Sequence, residues 1–230
     1  FFETEPFNED FTLMPQAAES EITEKENGVF MSVGDLSVRL EKNRKLTFFK
    51  NSKVILEEQP ELTFNSGFRH YQRKSGGAYS ARVTFEPDEN EHFYGLGHEA
   101  SGRFDLKGCS FDLRHVNAKC TIPFVYSSRG YGFIWNNPAV GSVELSANRT
   151  RWSVNETRKI DYVVIAGTPK EVSETLADLM GHAPVMPHWA TGFWQCRLRY
   201  ETQDDLLEVA RRYKKEGIPL SVIICDYFHW

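Results

Sequence analysis

Near the end of the sequence a single carboxylate, Asp226, stands between an apolar run and a group of aromatic residues. The run Leu220–Cys225 precedes it, and Tyr227-Phe228-His229-Trp230 follows it. A carboxylate accepts charge-assisted hydrogen bonds, and aromatic rings offer apolar faces, so this combination can hold a polar ligand. The carboxyl ends of buried strands are where α/β barrels and open sheets place their ligands. The pattern therefore predicts a ligand-binding site around Asp226.

Two strands and one helix are predicted to position this carboxylate. Ala190–Leu198 has the composition of a strand, whereas Thr202 begins a helix in which Asp205 is placed to complete a capping box. Gly217 ends that helix, and Leu220–Cys225 has the continuous apolar character of a strand that is buried on both faces. This order predicts a parallel βαβ unit. Because one such unit cannot cover its own faces, we expect the chain to be truncated within a larger α/β domain.

The region before this unit consists of short predicted strands separated by Gly, Asn, Asp and Pro clusters. Among them are Val29–Val33, Leu36–Leu40, Tyr79–Phe85 and Ile160–Ile165. No long helical periodicity interrupts them until Thr168 and Pro169 begin a helix that stops at Gly181. We therefore predict an antiparallel β-sandwich domain over residues 1–183, ending in this short helix, and the start of a second domain over residues 184–230.

The overall composition excludes several classes of partner. The 230 residues are 40% hydrophobic and 26% charged, which is typical of soluble globular proteins. A net charge of -5 without a long basic cluster argues against nucleic acid or an anionic membrane as a partner. No apolar stretch approaches the roughly 18 residues of a membrane span.

Four sequence blocks between Phe93 and Trp230 carry a family resemblance. They are Phe93–Glu99, Ile122–Phe133 with its Ser127-Ser128-Arg129-Gly130 turn, Gly192–Tyr200 and Ile218–Trp230. In this order they resemble the N-terminal sandwich and the first two barrel strands of glycoside hydrolase family 31, and most closely its α-xylosidase-like branch. The resemblance implies a β-sandwich N-terminal domain followed by the first βαβ unit of a truncated (β/α)8 barrel.

The resemblance implies a retaining α-glycoside hydrolase that releases a non-reducing terminal α-linked sugar, with α-xylose as the expected sugar and an α-glucosidase of the same family as the alternative. Such enzymes use two carboxyl groups about 5–5.5 Å apart, and in this family both come from later barrel strands. We therefore assign no catalytic residue within this chain and predict that it cannot turn over substrate by itself. A non-catalytic carbohydrate-binding β-sandwich is the alternative from another class, but such a module has no need of the βαβ unit.

The resemblance also implies roles for the residues around the second barrel strand. Asp226 matches the family residue that grips the non-reducing sugar in the subsite before the cleaved bond; the alternative is a buried Asp that satisfies loop amides. Tyr227 and Phe228 are expected to line the sugar pocket, because aromatic rings cover the C–H faces of a pyranose. Ordinary core packing is the alternative for both rings.

Two further residues complete the expected substrate-binding set. Arg199 ends the first barrel strand on the side of Asp226, where it either meets a substrate hydroxyl or forms a structural salt bridge. Asn117 lies in the loop before Ile122, which matches the region where the family's sandwich domain sends a loop over the pocket.

We expect no metal and no organic cofactor, because the seven histidines show no ligand spacing such as H-E-x-x-H. The expected partner is an oligosaccharide or glycoside substrate, with no nucleic acid and no membrane. The sequence does not exclude an oligomer of the full-length protein. The sequence begins with Phe1 rather than Met, so we expect the true N-terminus and any targeting signal to be missing. The cysteines are interpreted as reduced, and a cytoplasmic location is expected rather than secretion.

Overall fold

The structure is a computed structural model that describes residues 12–14, 19–61, 67–99 and 101–227. These residues form two units, the first ending at Gly181 and the second beginning at His182. Among them, no helix has both the length and the apolar character needed to cross a membrane.

The first unit contains three antiparallel sheets. One sheet consists of β1 (Glu21–Lys25), β2 (Gly28–Val33), β3 (Leu36–Leu40), β4 (Leu46–Lys50) and β5 (Lys53–Glu57), paired in chain order. A second sheet contains β8 (Phe93–His98), β10 (Cys120–Ser127), β11 (Tyr131–Trp135) and β14 (Tyr162–Ala166), in the order β14-β11-β10-β8. The third contains β6 (Arg69–Arg73), β7 (Tyr79–Phe85), β9 (Cys109–Leu113), β12 (Gly141–Leu145) and β13 (Thr150–Thr157), in the order β6-β7-β13-β12-β9.

The core of this unit forms because the three sheets turn apolar faces toward one another. One buried cluster takes Phe48 from the first sheet, Phe133 from the second, and Phe85 and Trp152 from the third. The ring of Phe133 stacks on Trp152 at 4.9 Å and meets Phe85 edge-on at 5.4 Å. Each fully buried ring of this kind contributes about 1.5–3 kcal/mol. The predicted β-sandwich is confirmed.

Helix α1 (Pro169–Met180) follows the last strand of the first unit, as the sequence predicted. The Thr168 hydroxyl accepts a hydrogen bond from the Glu171 amide, and the Glu171 carboxylate accepts one from the Thr168 amide. This reciprocal pair satisfies two amides that a helix start otherwise leaves without partners. The helix buries Val172 against Ile134 and Ile165 of the second sheet.

The second unit contains β15 (Trp194–Arg197), α2 (Gln203–Lys215) and β16 (Val222–Cys225). The two strands pair in parallel, so the predicted βαβ unit is confirmed. The predicted first strand began too early, because Ala190 lies in a 3-10 helix, His188–Thr191, in which its amide bonds to the Pro187 carbonyl. The second strand is half-buried rather than buried on both faces, since two strands and one helix cover only part of each other.

Candidate functional site

The parallel pairing of β15 and β16 fixes where Asp226 lies. Cys196 pairs with Ile224 and Arg197 with Cys225, after which both strands end. Because alternate residues of a strand share a face, Asp226 follows Ile224 on the face that also carries Cys196. The carboxylate therefore stands at the carboxyl end of the strand pair and is exposed. This is the edge at which parallel sheets hold their ligands.

A thiol on the neighbouring strand contacts this carboxylate. The Cys196 thiol donates to Oδ2 of Asp226 over 3.5 Å. Desolvation by the surrounding atoms and the adjacent Asp226 carboxylate both raise the pKa of the Cys196 thiol. The thiol therefore stays protonated at neutral pH and acts as a donor that restrains the orientation of the carboxylate. The sequence analysis did not predict this contact. The signal lies in the strand register, which pairs Cys196 with Ile224, two residues before Asp226.

The start of β15 is held to α2 and to the entry of β16. The Tyr213 hydroxyl donates to Oε1 of Gln195 at 2.6 Å, and its ring stacks on Phe193 at 5.9 Å. The backbone of Gly192 runs so close to Ser221 that a Cβ at Gly192 would lie 1.9 Å from Oγ. These contacts fix the register of the two strands along their length, and the position of Asp226 depends on that register.

The helix between the strands begins at a capping box, as predicted. The Thr202 hydroxyl accepts from the Asp205 amide at 3.2 Å, and the Asp205 carboxylate accepts from the Thr202 amide at 2.9 Å. The hydrogen bonds from Thr202 lower the pKa of the Asp205 carboxyl. Asp205 is therefore an ionised capping residue, and its negative charge interacts favourably with the positive end of the helix dipole.

The other predicted substrate-binding residues occupy different parts of the structure. Tyr227 follows Asp226 at the exposed strand end with φ 50°, a left-handed conformation that is unusual for a bulky residue and is concentrated at functional sites. Phe228 lies outside the described residues. Arg199 is exposed two residues after β15. Asn117 belongs to the first unit, in an exposed turn closed by a hydrogen bond from the Lys119 amide to the Val116 carbonyl.

This arrangement can bind a hydroxylated ligand. A carboxylate has about four lone-pair sites, and the thiol occupies one, so the others can accept hydrogen bonds from ligand hydroxyls. In the parts of the chain that the structure describes, no group of three or more His, Cys, Asp or Glu side chains is arranged to hold a metal ion.

Comparison with known sequences identifies relatives over most of the chain. The Glycosyl hydrolase 31 N-terminal galactose mutarotase-like domain matches residues 2–144, and the Glycosyl hydrolases family 31 TIM-barrel domain matches residues 183–230. A protein named "Uncharacterized family 31 glucosidase ORF2" from Pseudescherichia vulneris is 34% identical over 238 residues, covering 95% of this chain and 45% of that protein. An α-xylosidase from Saccharolobus solfataricus is 37% identical over 162 residues, covering 66% of this chain and 22% of that protein.

Comparison with solved structures gives the same result. A family 31 α-xylosidase from a soil metagenome, solved in complex with xylose, matches with a TM-score of 0.89 and 37% identity over 99% of this chain. That match covers 37% of the α-xylosidase, so the chain spans less than half the length of each of these relatives. The sandwich and the parallel strand pair are thus matched by the two domain models of one family, the first over more than half of the sequence, and the chain belongs to glycoside hydrolase family 31.

Proposed function

We propose that this chain is the N-terminal part of a retaining α-glycoside hydrolase that releases a non-reducing terminal α-xylose. The observation that carries the proposal is the exposed Asp226 carboxylate at the end of a parallel strand pair in a family 31 chain. Two relatives named α-xylosidases, at 37% and 33% identity, support α-xylose as the sugar. In this proposal residues 1–183 form the sandwich domain and residues 184–230 begin the catalytic barrel.

Asp226 holds the terminal sugar by accepting hydrogen bonds from two neighbouring hydroxyls. Such bonds are charge-assisted, and the Cys196 thiol orients the carboxylate that receives them. Tyr227 and Phe228 line the pocket around the sugar ring, and Arg199 and Asn117 contribute further polar contacts. Their exposure at the strand end and in the sandwich turn supports these roles for Tyr227, Arg199 and Asn117.

Cleavage of the glycosidic bond requires two carboxyl groups about 5–5.5 Å apart, one as nucleophile and one as acid/base. We propose that later barrel strands supply both groups, so that residues 1–230 bind one side of the sugar and do not cleave it. The corresponding assay uses an aryl α-xyloside and releases a coloured phenol. We expect no turnover from this chain and turnover from the polypeptide that carries the complete barrel.

The decisive experiment replaces Asp226 in that longer polypeptide. Loss of charge-assisted hydrogen bonds to two hydroxyls predicts that Asp226→Ala lowers kcat/KM for aryl α-xyloside by on the order of a hundredfold or more. Asp226→Asn keeps the shape of the side chain and should show a smaller loss. Asp204→Asn is the matched control, because Asp204 lies in the first turn of α2 and is expected to serve the helix dipole only. A rate unchanged by Asp226→Ala would assign Asp226 a structural role.

An α-glucosidase of the same family is the second candidate. A protein named "Alpha-glucosidase 2" from Bacillus thermoamyloliquefaciens is 33% identical over 155 residues, covering 60% of this chain and 20% of that protein. The two sugars differ by one hydroxymethyl group, and a group of that size is discriminated by about 10–200-fold. Aryl α-xyloside should therefore be hydrolysed faster than aryl α-glucoside. The reverse order would favour the α-glucosidase, and sugar binding without hydrolysis would favour a carbohydrate-binding protein.

We also propose a cytoplasmic location. All four cysteines are free, and Cys120, Cys196 and Cys225 are exposed, which supports a compartment that keeps thiols reduced. Immunodetection of the protein in separated cytoplasm and culture medium tests this, and recovery from the medium would contradict it.

A further inference from the structure

An apolar row crosses the first sheet and leaves the core of the sandwich. Ile22, Met31, Val38, Phe48 and Leu56 lie opposite one another on five consecutive strands. The inner end is covered, with Leu56 at 2% and Phe48 at 8% exposure, whereas Met31 is 43% and Ile22 is 68% exposed. The row therefore continues the core outward into solvent.

The same end of the sheet has a free edge. β1 is the outermost strand, and no strand among the described residues pairs with its outer side. All five of its residues are exposed. An edge strand presents backbone amides and carbonyls at every second residue, and a further strand can pair with them. The surface thus combines exposed apolar side chains with a row of available backbone groups.

We propose that this surface binds a second copy of the chain through antiparallel pairing of the two β1 strands. A two-fold axis at Thr23 aligns all five residues of one strand with all five of the other. Glu21 then lies opposite Lys25 of the second copy, and Lys25 opposite its Glu21, so both charged pairs are complementary. Thr23 faces Thr23, Ile22 lies opposite Glu24 of the second copy, and the two five-stranded sheets become one continuous sheet.

Opposite-charge pairing and the number of residues paired together favour this register. Moving the axis by half a residue toward Ile22 places Glu21 opposite Glu24, and moving it to Glu24 places two Glu24 carboxylates opposite each other. Both arrangements oppose like charges, which destabilises strand pairing. Registers centred on Ile22, or midway between Thr23 and Glu24, oppose no like charges either, but they pair only three or four residues and form no opposite-charge pair. The register centred on Thr23 pairs all five residues and forms two opposite-charge pairs. A self-complementary strand of this kind is what a two-fold interface requires.

Charge reversal tests the pairing in the 230-residue chain. Sedimentation equilibrium over a range of concentrations should show a monomer–dimer equilibrium for the unmodified chain. Glu21→Lys places Lys opposite Lys at two positions, and we expect the dissociation constant to rise by on the order of tenfold. The double variant Glu21→Lys/Lys25→Glu restores both opposite-charge pairs and should restore dimerisation. A chain that is monomeric at all concentrations, or a double variant no better than Glu21→Lys, would overturn the proposal.

A cross-linking experiment tests the axis without depending on affinity. Thr23→Cys brings two introduced thiols face to face across the axis, so mild oxidation should yield a dimer linked through residue 23. Glu21→Cys is the matched control, because position 21 faces position 25 rather than itself. Peptide mass spectrometry separates these links from any formed by the natural cysteines. Equal linkage through position 21 and position 23 would overturn the register, as would the absence of any link at position 23.

Discussion

Replacement of Arg69 by Met should destabilise the sandwich by removing the charged partner of a buried carboxylate. Glu58 is fully buried and forms an ion pair with Arg69. Nε of Arg69 lies 2.8 Å from Oε1 of Glu58, and Nη2 donates a hydrogen bond to Oε2 at 2.9 Å. The Leu46 amide donates to Oε2 at 2.9 Å, and the Tyr162 hydroxyl reaches Oε1 at 3.4 Å. Burial raises the pKa of the Glu58 carboxyl, while the bonds from Arg69 oppose that rise. The substitution therefore leaves a buried acid with two neutral donors.

The size of the effect follows from what the carboxyl does after the change. If it stays charged, it loses two charge-assisted hydrogen bonds, at about 3–6 kcal/mol in total. If it takes up a proton at pH 7, the cost is about 1.36 kcal/mol for each of the roughly 2.5 pH units above the ordinary pKa of 4.5, or about 3.4 kcal/mol. The smaller cost sets the limit. Because the pKa of Glu58 is already raised in the unmodified chain, this cost is an upper bound, and we expect the free energy of unfolding to fall by up to about 3 kcal/mol, equivalent to roughly 6–12 °C in Tm.

The pH dependence has a defined sign. Below pH 4.5 the Glu58 carboxyl of the Arg69→Met variant is protonated in both the folded and the unfolded chain, so the loss of stability is small. Above that pH the unfolded chain ionises while the folded variant keeps its proton. In the unmodified chain burial also raises the pKa of Glu58, so the two proteins lose stability together just above pH 4.5. The destabilisation caused by the substitution therefore grows, by about 1.36 kcal/mol per pH unit, only between the folded-state pKa of the unmodified chain and that of the variant.

Urea denaturation of both proteins at pH 5 and pH 8, followed by tryptophan fluorescence, measures this difference. Arg73→Met is the control, because Arg73 is an exposed residue at the end of the same strand. In the double variant Arg69→Met/Glu58→Gln the pH dependence should disappear, since the titrating group is gone. A destabilisation of equal size at pH 5 and pH 8, or one below about 1 kcal/mol at pH 7, would refute the reasoning.

Two further perturbations test buried and exposed contacts. Tyr131→Phe removes the hydroxyl that donates to the buried Glu91 carboxyl at 2.6 Å, so urea denaturation should show a loss of about 1–3 kcal/mol; an unchanged value would mean that this bond contributes nothing. Asp226→Asn removes the charge beside Cys196, which should lower the pKa of that thiol and speed its alkylation at pH 8. Mass spectrometry of each cysteine measures the rates, with exposed Cys120 as internal control, and an unchanged rate at Cys196 would contradict the contact.

The elements that local chemistry determines could be predicted from the sequence. The strand Leu36–Leu40 and the helix starts at Thr168 and Thr202 are confirmed, because strand patterning and capping depend on neighbouring residues alone. The position of Asp226 at the carboxyl end of a parallel strand was predictable for a similar reason. A strand, a helix and a second strand in this order have few ways to pair.

The elements that depend on distant contacts were not predictable in the same way. Two glycines so close together are typical of a connection between strands, yet Gly95-Leu96-Gly97 lies within β8. The strand requires glycine at these positions. A Cβ at Gly95 would lie 2.5 Å from the Phe124 carbonyl oxygen, and one at Gly97 would lie 2.4 Å from the Cys120 carbonyl oxygen. The neighbouring strand β10 also shifts its register along this stretch. Only the partner strand reveals that these glycines permit a close approach rather than a break.

The contact between Cys196 and Asp226 makes the site depend on the register of two strands. A shift of β16 by one residue would turn Asp226 to the opposite face and replace it beside Cys196 by an apolar or aromatic neighbour. The contact between Gly192 and Ser221 resists such a shift, because the Gly192 backbone packs directly against the Ser221 side chain in the observed alignment. A bulkier residue at position 192 should therefore displace Asp226 from Cys196 without touching either residue. The carboxylate that a strand-end pattern predicts is thus oriented by a glycine at the opposite end of the strand pair.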